Sequence, residues 1–420
     1  MKGREFRVGA FFAASIALAV GFAVAPARAD SPVAVASHLM DEGDFARLGF
    51  DLSGAVEARA RAIADPDRIL IDFPEVNFQI DPAVGRAAAP RAGAIIKDFR
   101  FGLFGPGKSR IVIELARPAC IAKLETKPIA KGAAASRLVV ELKSCSPEAF
   151  AAAAKASAPA PTPEPLDAAP SGPVAGPPVI VLDPGHGGVD GGAFGIHGTV
   201  EKTIVYDFAL ALKAKLEAEG RFKVLMTRDG DQYVSLDDRV KIARDAGAAL
   251  LISIHADTLT AAADVSGTTV YTCSDRASDA TAARIAEREN AADKSAGVES
   301  KADDAGVADI LFDLKRRETR AYAHIFSRGL VSQWQQTGRL NHNPERSAGF
   351  VVLKAPDFPS VLVELGYLSN AADVANMTSP DWRDKATSAM AAAVARFFAP
   401  AGAPAPSIAK SADVKSAPSP

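Results

Sequence analysis

The chain has 420 residues, 48% of them apolar and 23% charged, enough for two or three globular domains with buried cores. With residues 1–29 set aside, 44 basic residues face 49 acidic ones, and a net charge of about −5 argues against nucleic acid as a partner. Only Cys120, Cys145 and Cys273 are cysteines and no CxxC spacing occurs, which excludes a cysteine-based zinc or redox motif.

At the N-terminus, Lys2, Arg4 and Arg7 precede an 18-residue apolar run, Val8 to Ala25, and "PARA" stands before Asp30. A basic start, an apolar middle and an A-x-A end predict a secretory signal peptide over residues 1–29, and with it a periplasmic protein. An uncleaved anchor is the alternative, since the run sits at the lower edge of spanning length.

Residues 31–146 hold three segments that echo one another: "DRILIDF" (Asp67–Phe73), "SRIVIEL" (Ser109–Leu115) and "SRLVVEL" (Ser136–Leu142). Their β-branched cores predict strands. With "FARLGFDLSG" upstream and turn signals such as "FGPGK" between them, they predict an all-β antiparallel sandwich that serves as a binding or targeting module. In an oxidising compartment Cys120 and Cys145 either pair, closing a loop of a size that gives about 3 kcal/mol, or stay as two buried thiols.

Residues 147–177 collapse to Ala, Pro, Ser and Gly, a composition that predicts an extended spacer and few contacts between the domains on either side. Residues 400–420 are of the same kind and predict a disordered tail. Between them, over residues 178–399, apolar runs alternate with amphipathic ones: "VIVLD", a helix near 200–220, "FKVLMT", a helix near 236–248, "ALLISIH", "TTVYTC", "GFVVL", "SVLVELGYL" and a last helix ending near Phe398. That order predicts an α/β domain, a mainly parallel six-stranded sheet with helices on both faces.

The first strand runs into "VLDPGHGGVDGG". A phosphate loop of the Walker kind needs Lys-Ser/Thr where this chain has Val-Asp, so the glycines are better read as clearing room beside a metal or substrate. Open α/β sheets bind ligands at the carboxyl ends of their strands. His186 follows "VIVLD", His255 follows "ALLISI", Glu364 ends "SVLV", and Glu201 opens a helix beyond the glycine loop. Two histidines and a carboxylate make the three-ligand set of a catalytic zinc site, and Glu364 then serves as the base. Taken singly, each has an ordinary reading: a hydrogen-bonded histidine, a first-turn helix glutamate, a buried ion-pair partner. His38, His197, His324 and His342 take the ordinary reading, with His197 kept as an alternative ligand or substrate contact.

Six motifs in register, "IVLDPGHGGVDGG", "GTVEKTIVYDFALALKAKL", "VLMTRDGD", "LDDRVKIAR", "LISIHAD" and "VLVELGYLSN", resemble the zinc-dependent N-acetylmuramoyl-L-alanine amidases of the Amidase_3 group. By strand pattern and placement, residues 31–146 resemble the AMIN domain that precedes the catalytic domain in the amidase C type. The resemblance implies Zn²⁺ on His186, Glu201 and His255 with Glu364 as the catalytic residue. It also implies hydrolysis of the amide between N-acetylmuramic acid and L-alanine in peptidoglycan, for septal wall splitting, and a sandwich that directs the enzyme to the division site. The alternatives left open are another zinc hydrolase cutting within the stem peptide, and a non-catalytic wall-binding protein.

Ser278 to Arg320 separates the strand "TTVYTC" from a helix expected to begin near Ala321, far longer than the usual two to six residues of such connections. It is either a solvated helical excursion or functional, and its apolar "ILFDL" wants a groove or a partner. Division amidases resemble this arrangement: an inserted helix covers the zinc until an activator with a degenerate metallopeptidase (LytM-type) domain displaces it. "AEREN" offers Glu287 and Glu289 to the open zinc position, and Glu289 is the expected blocking group.

Overall fold

The computed structural model describes residues 31–86, 93–105, 107–130, 135–157, 176–259, 264–298, 310–335 and 337–399, without the side chains of 310–314. The signal-peptide expectation, the middle of the spacer and the C-terminal tail lie outside the described residues. Among the described residues no helix is long and apolar enough to cross a membrane.

The N-terminal half is a two-sheet sandwich of β1 (Val33–Asp41), β2 (Phe45–Leu52), β3 (Arg59–Ile63), β4 (Arg68–Pro74), β5 (Asn77–Phe78), β6 (Ile96–Gly105), β7 (Lys108–Leu115), β8 (Ala119–Pro128) and β9 (Ser136–Ser144). One sheet has the order β5-β1-β2-β9-β8 and the other β3-β4-β7-β6. All pairs are antiparallel except β1 with β5. The period-2 pattern explains the layering. In β9, Leu138, Val140 and Leu142 join Phe50, Ile71, Phe99 and Ile113 in the core, while Arg137 and Glu141 turn outward to pair with Asp51 and Arg47. Cys120 and Cys145 are bonded, with Cα atoms 5.8 Å apart.

Two expectations need correction here. The start of the predicted spacer is a helix, α1 (Pro147–Ser157), whose Phe150 is buried in the sandwich core. Alanine is the best helix former, and one aromatic anchor gives its run a face to bury. The sandwich also does not stand apart. Strand β6 lies along the glycine-rich loop, where the Leu103 carbonyl accepts from Val189 N (3.1 Å) and Tyr233 N (3.3 Å), and Ile63, Leu70 and Val112 pack with Val189, Tyr233 and Ala296. Spacer composition reports on the linker alone and is silent about the surfaces it joins.

The second half contains β10 (Val179–Pro184), α2 (Glu201–Ala218), β11 (Lys223–Met226), α3 (Leu236–Asp245), β12 (Leu250–His255), β13 (Thr268–Cys273), α4 (Ala280–Asn290) and α5 (Ala292–Ser295). It continues with α6 (Ile310–Trp334), β14 (Leu340–Ala348), β15 (Ser360–Glu364), α7 (Ala371–Met377) and α8 (Pro380–Phe397). The sheet has six strands in the order β11-β10-β12-β15-β13-β14, parallel except where β13 meets β15. Phe208 and Leu212 of α2, Phe326 and Trp334 of α6 and Met390 of α8 cover one face. Ala243 of α3, Ile285 of α4 and Phe350 cover the other.

The sixth strand is β14, not "GFVVL", whose Val351–Leu353 form a 3-10 turn. Periodicity does not separate a short buried apolar run from a strand, and the true strand, "LNHNPERSA", is polar. The helix expected near Ala321 begins at Ile310, so "ILFDL" is its first turns.

Candidate metal centre

Strands β10, β12 and β15 are parallel neighbours, so their carboxyl ends come out together. His255 and Glu364 are register partners at the ends of β12 and β15, and His186 lies two residues past β10. The loop turns sharply there. His186 itself has φ 59°, the left-handed region a non-glycine residue enters with strain. Two buried arginines hold the turn. Arg239 donates to the His186 carbonyl (2.7 Å), the Pro184 carbonyl (3.0 Å) and Asp183 (2.7 Å), and Arg228 donates to the carbonyls of Pro184 (2.9 Å) and Gly185 (3.2 Å). Two glycines keep the site open: a Cβ on Gly185 would sit 2.3 Å from the His255 ring, and one on Gly192 2.6 Å from His186 and 2.7 Å from Glu201.

Of the predicted residues, His186, Glu201, His255 and Glu289 meet at one point. His186 Nε2 lies 3.2 Å from Glu201 Oε1 and 3.3 Å from Glu289 Oε2, and His255 Nδ1 lies 3.2 and 3.1 Å from the same two oxygens. The donor atoms of His186, His255 and Glu289 lie within 4.8 Å of one another, and all three residues are buried. Glu201 is fully buried and fixed from both sides, its Oε1 accepting from Ala256 N (2.8 Å) and its Oε2 from Ala193 N (2.8 Å). Glu364 adjoins the cluster. Its Oε2 accepts from Asp257 N (2.9 Å), while its Oε1 is buried with no hydrogen-bond partner among the described residues. His197 is not among them; it lies exposed on the 3-10 turn Ile196–Gly198.

The cluster asks for a cation. Asp190 Oδ2, 2.8 Å from His186 Nδ1, fixes the tautomer with its proton there, which leaves Nε2 as a lone pair; that atom is buried and has no hydrogen-bond partner among the described residues. Two carboxylate oxygens, the open His186 Nε2 and His255 Nδ1 thus face one point, a donor set that fits a metal ion. The carboxylates also draw positive charge onto the imidazoles. Burial works against charged imidazoles, yet Glu201, Asp190 and Glu289 lift His186 well above its ordinary range, and Glu289 with Glu201 raises His255 to about 10. Burial would raise Asp190, but His186 brings it down to about 2. Burial first, then Asp257, pushes Glu364 well above the usual carboxylate range.

Sequence reasoning passed over several of these residues. Asp190, four residues after His186 in the quoted glycine loop, was legible as a partner for it. Arg228 and Arg239 lie inside the quoted motifs "VLMTRDGD" and "LDDRVKIAR", but nothing local says that their guanidinium groups turn back onto a loop some 50 residues away. Asp257 is fully buried beside Glu364 and pairs with Arg288, the neighbour of Glu289.

Comparison with known proteins identifies the family. Residues 180–396 match the family described as N-acetylmuramoyl-L-alanine amidase, Amidase_3. The chain is similar to the N-acetylmuramoyl-L-alanine amidase AmiC of Escherichia coli O6:H1, 32% identical over 377 residues that span 87% of this chain and 89% of that one. The amidase AmiC of Neisseria meningitidis serogroup B is 30% identical over 387 residues, 88% and 90% of the two chains. AmiA of Escherichia coli strain K12 is 37% identical over 221 residues, 52% of this chain and 76% of that one. A likeness that spans both halves and a family match that carries the whole α/β unit make this chain a member of the N-acetylmuramoyl-L-alanine amidase family, an enzyme that hydrolyses an amide of peptidoglycan.

Proposed function

We propose that the chain is a zinc-dependent amidase that cuts between N-acetylmuramic acid and L-alanine, held shut by its own insert. The observation that carries this reading is the convergence of His186 Nε2 and His255 Nδ1 on Glu201 Oε1 and Glu289 Oε2, each nitrogen 3.1–3.3 Å from both oxygens. His186, Glu201 and His255 hold the ion, and two imidazoles with one carboxylate suit zinc. Bound there, zinc supplies a Lewis acid for the scissile carbonyl and brings the pKa of a water to about 7.

Glu364 moves the proton. Its Oε2 is pinned by Asp257 N and its Oε1 is free, so the carboxylate presents one oriented lone pair. Burial and neighbouring carboxylates hold its affinity for a proton high, the property a group needs to accept a proton from water and return it to the leaving amine. Asp190 keeps His186 in the tautomer that leaves Nε2 open. Glu289 occupies the position that water and the scissile amide need, and α4 carries it away when an activator engages the insert.

In this reading residues 1–29 export the protein to the periplasm and residues 31–146 direct it to the wall at the division site, where it separates daughter cells. The test is a pair of variants of the mature protein on purified wall. Glu289→Ala is expected to raise activity in the absence of activator, and Glu364→Gln to lower it by about 10² to 10⁴ with zinc retained. Basal activity unmoved by the first, or near-normal turnover in the second, contradicts the reading.

A further inference from the structure

The insert that carries Glu289 is gripped by the sandwich as well as by the α/β unit. Arg288 pairs with Asp257 and donates to the Thr258 carbonyl (2.7 Å), and Asn290 exchanges bonds of 2.8 Å with the Gly349 carbonyl and Val351 N. Asp293 accepts from the Tyr233 hydroxyl and from Leu236 N (2.9 Å). Those are contacts within one domain. Beyond α5, the sandwich takes over: Arg110 of β7, buried at 3% exposure, donates from Nη1 to the carbonyls of Ala296 (3.0 Å) and Gly297 (3.3 Å). Gly297 has φ 75° and lies so close to β4 that an added Cβ would come within 2.5 Å of the Leu70 side chain.

The grip continues through aromatic rings. Phe104 of β6 stacks on Tyr233 with ring centroids 5.6 Å apart and planes 9° from parallel, and the Arg110 guanidinium lies over the Phe104 ring, 3.3 Å from its centroid. Tyr233 in turn holds Asp293, five residues before the end of the described insert segment. Arg110, Phe104, Tyr233 and Asp293 form one line from the sandwich into the insert. The same strand β6 also abuts the loop of His186, for a Cβ on Gly102 would sit 2.4 Å from the Gly188 backbone. One face of the sandwich thus touches both the loop that carries His186 and the segment that carries Glu289.

The geometry points to a second task for the sandwich: it is an intramolecular clamp that holds the insert closed, so that loosening the face formed by β4, β6 and β7 frees Glu289 from the metal centre. The inference rests on the reading of Glu289 as a blocking group and adds the element that keeps it in place. Buried guanidinium-to-carbonyl bonds are among the stronger hydrogen bonds of a protein, and an arginine stacked on an aromatic ring is held in one orientation.

The test uses the mature, zinc-loaded chain. Arg110→Ala removes both carbonyl contacts, and Phe104→Ala, a half-buried residue outside the sandwich core, breaks the line without touching the sandwich fold. Arg47→Ala, which breaks an exposed ion pair with Glu141 on the other sheet, is the control. Hydrogen exchange of the amides 295–298, bonded to carbonyls 291–294, reads the insert, and release of soluble fragments from purified wall reads activity. Both clamp variants are expected to speed exchange there on the order of tenfold, the factor that matches one charge-assisted hydrogen bond, and to raise basal activity while the control changes neither. On a Glu289→Ala background, Arg110→Ala is expected to speed exchange without raising activity further. Unchanged exchange in both clamp variants overturns the clamp, as does faster exchange with flat activity when Glu289→Ala alone is activating. If Glu289→Ala alone leaves activity flat, the blocking role has failed and the clamp's consequence with it.

Discussion

Asp190 offers the sharpest perturbation of the metal centre, because it acts on His186 without being one of the four converging groups. Its carboxylate accepts the Nδ1 proton at 2.8 Å and is itself fixed by Gly192 N at 3.1 Å. Removing it in Asp190→Ala leaves the imidazole free to put its proton on Nε2, the atom that must stay open, and withdraws the charge that makes Nε2 a better donor. Partners of this kind are worth about 10- to 100-fold in metal affinity, roughly 1.4 to 2.7 kcal/mol. Asp190→Asn keeps an oxygen acceptor and loses only the charge, so its loss belongs at the lower end of that range. The His186 interaction holds Asp190 at about 2, so the carboxylate is ionised throughout any practical assay, and both effects should be flat between about pH 5 and 8. Competition for zinc against a chromogenic chelator measures the affinity, and activity at saturating zinc measures what remains. Zinc affinity equal to wild type in both variants would refute the reasoning that the orphaned Nε2 is a ligand.

Glu364→Gln should lower turnover by about 10² to 10⁴ while zinc binding holds, seen as a loss of kcat on wall fragments. His186→Ala and His255→Ala should instead lose zinc affinity, so excess metal should restore part of their activity, whereas it should do nothing for Glu364→Gln, which keeps its zinc. Gly192→Ala forces a methyl onto His186 and Glu201 at φ 67°, a backbone setting that costs alanine about 1 kcal/mol by itself, so it should lose zinc affinity with the fold kept by circular dichroism. Deleting residues 30–146 exposes Val189, Tyr233 and Ala296, now buried against Ile63, Leu70 and Val112, so the remaining α/β unit should be less soluble than the full chain and its insert faster to exchange.

The site was legible because its chemistry sits at strand ends. "VIVLD" and "ALLISI" are long enough apolar runs to fix two parallel strands, and each is followed within a few residues by a histidine, so topology alone brings His186 and His255 to one edge. Glu289 was harder. The length of the connection and its apolar "ILFDL" marked the insert, and the choice between Glu287 and Glu289 depends on helix phase: Glu289 shares a buried face with Ala282, Ile285 and Ala286, whereas Glu287 is exposed. What the sequence hid was long-range. Arg239 reads as a surface residue of an amphipathic helix, yet it is buried under the His186 loop, and Arg110 reads as one charge on an alternating strand, yet it reaches the insert 186 residues away. The polar strand β14 was missed for a related reason: it lies at the sheet edge, where burial does not impose an apolar pattern.

Digestion of purified sacculi by the mature protein, with its zinc content measured on the same sample and the released ends identified by mass spectrometry, tests the central claim most directly. The account predicts about one zinc per chain and stem peptides released whole with a free L-alanine amine, leaving muramic acid with a free lactyl carboxylate; stripping the zinc or substituting Glu364 should stop the release. Cuts inside the stem peptide, or unchanged release from a zinc-free sample, would contradict it.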